Sequence, residues 1–171
     1  MRLRPFAFIA PLALLASCGT QTSEGSAGTG LGSKLEVRLS LGDATKIMHE
    51  RHEGMESIGK ASKAINRELG GSSPDLAVVR SSAGQIANLS HQASNWFPAG
   101  TGPEIGNTGA KPEIWQNQQD FAAKLSAFQK AALVFDAAAK GNDVGAIKLR
   151  YSELGQTCKA CHDKYRKEMK H

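Results

Sequence analysis

Two cysteines and a histidine close to the C-terminus have the types and spacing that covalent haem attachment requires. They form the run Cys158-Lys159-Ala160-Cys161-His162, which fits the C-x-x-C-H signature of c-type haem. Two thiols three residues apart on a helix face one way, so each can add to one vinyl group of a porphyrin. His162 then lies beneath the ring, where an imidazole nitrogen can bind the iron. The motif predicts one covalent haem c, anchored by Cys158 and Cys161, with His162 as an axial iron ligand.

Three other interpretations of the two cysteines are open. A redox-active dithiol usually sits at the start of a helix in a strand-helix-strand unit, and no strand pattern is evident in this chain. A zinc site would need a second Cys or Cys/His pair to complete four ligands, and none has suitable spacing. A chance match is the third interpretation, so the flanking sequence has to decide among them.

Apolar residues recur in steps of three and four along almost the whole chain after residue 35, which is the pattern of amphipathic helices. The first predicted seam ends at Gly70-Gly71 and comprises Leu41, Ala44, Met48, Arg51, Met55, Ile58, Ser62, Ile65 and Leu69. The predicted seam of the last helix, from about Val144 to Lys167, comprises Ile147, Tyr151, Leu154, Cys158, Cys161 and Tyr165.

Two further helices are predicted between these. The second is expected to open at Ser73-Pro74, with Ser73 as its N-cap and Pro74 at the first helical position. A glycine- and proline-rich loop covers residues 95–111, and Pro112 is expected to start a third helix that runs without a break past Phe135. The fold class is therefore all-α: an antiparallel four-helix bundle with the haem near its C-terminus.

The N-terminal residues resemble an export signal of a bacterial lipoprotein. Arg2 and Arg4 precede an apolar stretch too short to span a bilayer, and Leu15-Ala16-Ser17-Cys18 resembles a lipobox. We expect residues 1–17 to be a lipoprotein signal peptide, residues 18–34 a flexible Gly/Ser/Thr-rich tether, and residues 35–171 the cytochrome domain. Lipidation of Cys18 would anchor the domain to a membrane, whereas an ordinary signal peptide would leave Cys18 incidental.

The chain is mildly basic, with a formal net charge of +5. The dispersed Lys and Arg residues form no basic stripe interleaved with aromatics, so no nucleic-acid partner is expected. Basic residues crowd the last helix, where they either steer an acidic redox protein partner or are ordinary solvated helix positions.

The chain from about Leu35 onward resembles the class II cytochromes c, which comprise cytochrome c-prime and its low-spin relatives of the c-556 type. The motifs that carry this resemblance are the C-terminal haem segment 158–166, Trp96-Phe97-Pro98-Ala99-Gly100-Thr101, Ala110-Lys111-Pro112-Glu113-Ile114-Trp115, Phe121, and Arg51 followed by Met55 and Gly59. The resemblance implies that Cys158 and Cys161 anchor the haem and that His162 is the proximal iron ligand.

The resemblance also implies roles for residues around the haem. Arg166 would lie on the proximal side near His162, unless it is a solvent-facing helix charge. Tyr165 would pack against the ring, and Arg51 would contact a haem propionate or solvent.

Members of this family differ in what faces the iron on the distal side. In cytochrome c-prime an apolar side chain of the first helix covers an empty position, and the five-coordinate iron binds small gases such as nitric oxide. In the c-556 type a methionine fills that position and gives a low-spin electron carrier. The motif Arg51-x-x-x-Met55-x-x-x-Gly59 implies Met55 as the distal residue here. Met48, His49, His52, His91 and Met169 are weaker candidates, because they lie off the seam or at another height.

We therefore expect an exported monohaem electron carrier with His162 and Met55 as axial ligands. The alternative is a five-coordinate, c-prime-like protein that binds nitric oxide or another small gas. An enzyme is not expected, because peroxide activation needs a distal acid–base group over an open iron. The expected location is periplasmic, with a membrane anchor at Cys18, redox protein partners, and a homodimer allowed by the resemblance.

Overall fold

The computed structural model describes residues 39–168 of the 171-residue chain, and these lie within one compact unit. The leader 1–17, Cys18, the tether 18–34 and Met169 fall outside the described residues, so the expectations for them stay predictions. The helices are α1 (Leu41–Gly70), α2 (Leu76–Gln92), the short α3 (Glu113–Gln116), α4 (Gln118–Ala139) and α5 (Val144–Tyr165), with a 3-10 turn at Ala93–Asn95. Apart from one isolated bridge between Ala110 and Arg166, residues 39–168 form no β-structure.

The long helices pack in the order α1, α2, α4, α5, each against the next. Short connections of residues 71–75 and 140–143 make the first and last pairs antiparallel. Hydrogen bonds from Arg80 to the Ala139 carbonyl and from Gln129 to the Ser90 carbonyl show that α2 and α4 are antiparallel as well. The predicted antiparallel four-helix bundle is confirmed.

Two hydrophobic clusters fill the bundle. The main cluster comprises Ile58, Ala61, Ile65, Leu69, Val79, Ala83, Ile86, Ala93, Trp96, Phe128, Ala132, Phe135, Ala139, Ile147 and Leu154. The small cluster comprises Ala110, Ile114, Phe121 and Tyr165. The half-buried side chains of Phe97 and Leu125 pack against both clusters and so join them.

Several helix ends differ from the predictions. The N-cap of α2 is Asp75 rather than Ser73, because the Asp75 carboxylate accepts hydrogen bonds from the Ala77 and Val78 amides. The predicted third helix is broken at Asn117, which separates α3 from α4. Leu41, predicted to be buried, is 67% exposed, because it is the first residue of α1.

The last helix is also shorter than predicted. It ends at Tyr165 because the next residues leave the helix to pair with the long loop 96–112. The Lys111 amide donates to the Tyr165 carbonyl at 2.9 Å, and the Lys167 amide donates to the Gly109 carbonyl at 2.8 Å. Within the described part of the chain, no helix is long and apolar enough to cross a bilayer.

Candidate haem site

The predicted haem segment occupies the last two turns of α5. Cys158 and Cys161 are half-buried and point into different clusters: Cys158 packs against the main cluster and Cys161 against the small one. His162 is exposed, and its carbonyl accepts the Arg166 amide at 3.0 Å where α5 ends. The two thiols therefore lie along the line where the clusters meet.

Burial sets the protonation of these side chains. It raises the pKa of the Cys158 and Cys161 thiols, so both are neutral thiols at neutral pH in the unmodified chain. Partial burial lowers the pKa of His162, and the positive charge of Arg166 lowers it further, against the opposing effect of Asp163. His162 is thus held as a neutral imidazole, which is the form that binds a metal.

One polar contact shows which residues of α1 and α5 lie at the same height, that is, at the same level along the bundle axis. The Tyr151 hydroxyl donates to the Ser62 carbonyl at 2.8 Å and also lies 2.8 Å from the Ser62 hydroxyl. Each helix runs antiparallel to its neighbour along the series, so α1 and α5 are antiparallel. Met55 lies seven residues before Ser62, and Cys158 lies seven residues after Tyr151. Met55 and Cys158 are therefore at the same height, about 10 Å from the polar contact, at 1.5 Å of rise per residue.

Met55 is half-buried and packs against the main cluster, as Cys158 does. One turn further along α1, a Cβ added at Gly59 would meet no heavy atom within 4 Å. On the α5 side, Gly155 has the same open space. Two thiols, an imidazole, a half-buried thioether and open space beside both helices fit a haem c at this place.

The other candidate ligands are positioned less well. His49, His52 and His91 are exposed, as predicted for His49 and His52. The terminal methyl group of Met48 lies beside Gly106 in the long loop, 3.8 Å from where a Cβ on that glycine would be. Of these α1 side chains, Met55 is the one at the height of the haem segment.

Arg51 holds the long loop and does not face solvent. It is 5% exposed. Its Nη1 atom donates to the Trp96 carbonyl at 3.0 Å and to the Thr101 hydroxyl at 3.3 Å. Its Nη2 atom donates to the Thr101 carbonyl at 3.0 Å and to the Thr108 hydroxyl at 3.1 Å. Both terminal nitrogens thus donate to groups of the loop. The predicted contact of Arg51 with solvent is therefore wrong, whereas its contact with a haem propionate stays a prediction.

Among residues 39–168, the surroundings of Arg51 stabilise a buried cation through hydrogen bonds and aromatic rings, without a direct ion pair. Its guanidinium carbon lies 5.2 Å from the centre of the Phe97 ring and 5.8 Å from that of Trp115. Burial lowers the pKa of Arg51, and the charge of Glu104 raises it in part. Arg51 therefore lies against the Phe97 ring, beside the line where the two clusters meet.

Gly54 fits Trp96 against the first helix. A Cβ on Gly54 would lie 2.2 Å and 2.3 Å from two atoms of the Trp96 ring, so only glycine leaves room for the indole. Trp96 is 4% exposed and belongs to the main cluster. Gly54, the residue before Met55, thus leaves the space that the Trp96 ring of the loop fills.

Tyr165 and Arg166 support the end of α5. The Tyr165 hydroxyl donates to an Asp120 carboxylate oxygen at 2.5 Å, and its ring meets that of Phe121 edge-on at 5.2 Å. Tyr165 packs against Phe121 in the small cluster, against which Cys161 also packs, and its contact with a haem ring stays a prediction. Arg166 is exposed, and its charge is close enough to His162 to lower the pKa of the imidazole. Its place on the proximal side of a haem stays a prediction.

Sequence reasoning gave no role to Phe97 or Leu125, although both join the two clusters at the haem segment. For Phe97 the signal lay in two adjacent aromatic residues, Trp96 and Phe97, within a loop otherwise rich in glycine and proline. Leu125 lies on the regular seam of α4, where nothing distinguishes it from ordinary core packing.

Known proteins are similar to this chain over most of its length. The sequence model of the family described as Cytochrome C' matches residues 46–166. Cytochrome c' of Rhodospirillum rubrum is 36% identical over 127 residues, which cover 72% of this chain and 84% of that protein.

Solved structures of the same kind superpose on the bundle. Cytochrome c prime from Shewanella frigidimarina is 33% identical with a TM-score of 0.68, covering 73% of this chain and 97% of that one. A nitric oxide complex of a variant of cytochrome c prime from Alcaligenes xylosoxidans is 28% identical with a TM-score of 0.66, covering 77% of this chain and 99% of that one. The chain belongs to the cytochrome c' family, a group of four-helix bundles that carry covalent haem c.

Proposed function

We propose that this cytochrome binds a small gas such as nitric oxide at a haem iron held by His162, with Met55 as a removable cover on the distal side. The observation that carries the proposal is membership of the cytochrome c' family, together with the height of Met55 opposite Cys158. The nitric oxide complex of the related Alcaligenes protein supports it.

Each residue has one task in this proposal. Cys158 and Cys161 hold the porphyrin as thioethers, and His162 supplies a neutral imidazole to the proximal side of the iron. When bound, the haem supplies an iron that takes a gas molecule as a ligand. Met55 and the apolar residues Phe97 and Leu125 keep water away from the distal side, which favours an uncharged ligand over a polar one.

The expected His/Met electron carrier becomes the second candidate, because the comparisons favour the gas-binding alternative. It is kept because Met55 carries a thioether at the right height, and a thioether binds ferrous iron well. The gas-binding proposal differs in that Met55 covers the distal side without a bond to the iron.

The absorption spectrum of the purified ferrous protein separates the two candidates. A high-spin spectrum that shifts fully and rapidly with carbon monoxide is expected for gas binding. A low-spin spectrum that carbon monoxide leaves unchanged would overturn the proposal and favour the carrier. Met55→Leu keeps the volume and removes the sulfur, so it serves as the matched control. Its spectrum should equal that of the native protein if Met55 is only a cover.

No catalytic reaction is proposed. Activation of peroxide needs an acid–base group over the iron. Arg51, the polar side chain one turn from Met55, uses both terminal nitrogens to hold the loop. Redox partners and a homodimer stay predictions.

We also propose that the protein is periplasmic and anchored by a lipid on Cys18. The proposal is supported by the export-like leader and by the lipobox-like residues 15–18. Cys18→Ala is expected to release the cytochrome from the membrane fraction into the soluble fraction. A variant that stays in the membrane fraction would contradict the anchor.

A further inference from the structure

An apolar cleft opens where the long loop meets the start of α4. Its volume is about 300 Å³. The loop side contributes Phe97 and Ala99, and the helical side contributes Trp115, Phe121, Ala122 and Leu125. Ile114 also lines the cleft, and Ser94 and Gln118 are the two polar residues of the lining. None of the lining residues carries a charge, so the cleft suits a small uncharged molecule.

The floor of the cleft is shared with the interior of the bundle. Phe97 and Leu125 line the cleft, and both pack against the main cluster, which also takes in Met55 and Cys158. The same two side chains pack against the small cluster, which takes in Cys161. Phe97 and Leu125 therefore lie between the cleft and the two clusters against which Met55, Cys158 and Cys161 also pack.

Phe97 is held in a way that allows its ring to move while the loop stays in place. The backbone beside it is fixed, because the Trp96 carbonyl accepts a hydrogen bond from Arg51. The ring itself is held by weaker contacts: an edge-on approach to Phe121 at 4.8 Å and the stacking of Arg51 at 5.2 Å. A half-buried ring on an anchored backbone can change rotamer without unfolding the loop.

We propose that this cleft is the route by which a small apolar gas passes between solvent and the distal side, with Phe97 and Leu125 as its gate. This inference rests on the proposed gas-binding function. A route changes how fast a ligand enters and leaves, and it leaves the ligand affinity unchanged, because both directions cross the same barrier.

The test fills the mouth of the cleft with a large side chain. Ala122 is an exposed residue of α4 that lines the cleft, so Ala122→Trp should block it. Ala127, also exposed on α4, lines a different groove between α4 and α5, so Ala127→Trp is the matched control. Carbon monoxide association and dissociation are followed in the holoprotein by flash photolysis and ligand replacement.

In Ala122→Trp both rate constants are expected to fall by about tenfold, with an unchanged Kd, because steric access then limits association. Ala127→Trp should match the native protein. Native rate constants in Ala122→Trp would overturn the route. So would a changed Kd, because it would mean that the substitution alters the distal side itself.

A second measurement does not depend on ligand binding at the iron. Xenon is apolar and similar in size to a diatomic gas, so crystals of the native protein under xenon pressure should show xenon in the cleft, and crystals of Ala122→Trp should not. Absence of xenon from the native cleft would count against the route.

If the native protein takes up no carbon monoxide, the proposed function fails, and the kinetic test is made in Met55→Ala, where the distal side is vacated.

Discussion

Replacing Gly54 by alanine puts a methyl group into the space that the indole ring of Trp96 fills. The new Cβ would lie 2.2 Å and 2.3 Å from two ring atoms, more than 1 Å inside an ordinary contact. The ring is rigid and 4% exposed, and the Trp96 carbonyl is held by Arg51, so neither the side chain nor its backbone can move away cheaply.

The expected cost follows from two opposing effects. Overpacking of a well-filled core costs about 1–3 kcal/mol, and a rigid aromatic neighbour puts Gly54→Ala at the upper end. Alanine gains about 1 kcal/mol over glycine within a helix. The free energy of unfolding of Gly54→Ala should therefore fall by about 2 kcal/mol, as measured at 25 °C by urea unfolding followed by circular dichroism.

Gly84→Ala, in the interior of α2, is the matched control. An added Cβ there would make only an ordinary contact, 3.6 Å from an Asp136 carboxylate oxygen, so only the helix effect applies, and the variant should be about 0.5–1 kcal/mol more stable than the native protein. The two variants should thus differ by nearly 3 kcal/mol, with unchanged urea m-values. Equal free energies of unfolding of the two variants would refute the inference that the Trp96 ring requires a glycine at position 54.

Two other contacts give predictions about stability. Arg51→Met should lower the free energy of unfolding by about 3 kcal/mol, because it leaves the buried carbonyls of Trp96 and Thr101 without donors. Thr108→Val removes the two hydrogen bonds that the Thr108 hydroxyl accepts from Arg51 and from the Ala110 amide, so it should cost about 2 kcal/mol in the same urea measurement. The hydrogen bond from Tyr165, followed by that from Lys164, lowers the pKa of Asp120 below its ordinary value of 3.8. Ionised Asp120 therefore stabilises the fold fully well above pH 4, and this stabilisation is lost as the pH falls through the lowered pKa. Tyr165→Phe should make the free energy of unfolding fall less steeply with decreasing pH in this range. An unchanged slope would contradict the contact.

The seams of α1 and α5 could be predicted because a helical period reports which face is buried, whatever covers that face. Ala44, Ile58, Ile65 and Leu69 are buried as expected. The break at Asn117 could not be predicted in the same way. The Asn117 amide still bonds to the Glu113 carbonyl, and the Phe121 amide bonds to the Asn117 carbonyl, so the spacing of apolar residues runs through the break almost undisturbed.

The partners of Arg51 lie outside the reach of local sequence patterns. An arginine on an apolar seam reads as a functional charge, because burying it without partners would be costly. Its partners are carbonyls and hydroxyls 45 to 57 residues further along, in a loop whose composition says only that it is irregular. The Arg51 guanidinium, which the resemblance places in the haem surroundings, also shapes the loop that holds Phe97.

Helical periodicity also says nothing about the relative height of two helices. Met48 and Met55 lie on the same predicted seam two turns apart, and the pattern alone treats them alike. The contact between Ser62 and Tyr151 removes this ambiguity, since equal counts of seven residues lead from it to Met55 and to Cys158. The sequence gives no sign of this polar pair. The pair nevertheless shows that the Met55 thioether, rather than Ile58 or Ser62 of the same seam, lies opposite the haem segment. A coordinating methionine and a covering methionine both have to lie at this height, so the choice between carrier and gas binder depends on whether the Met55 sulfur bonds to the iron.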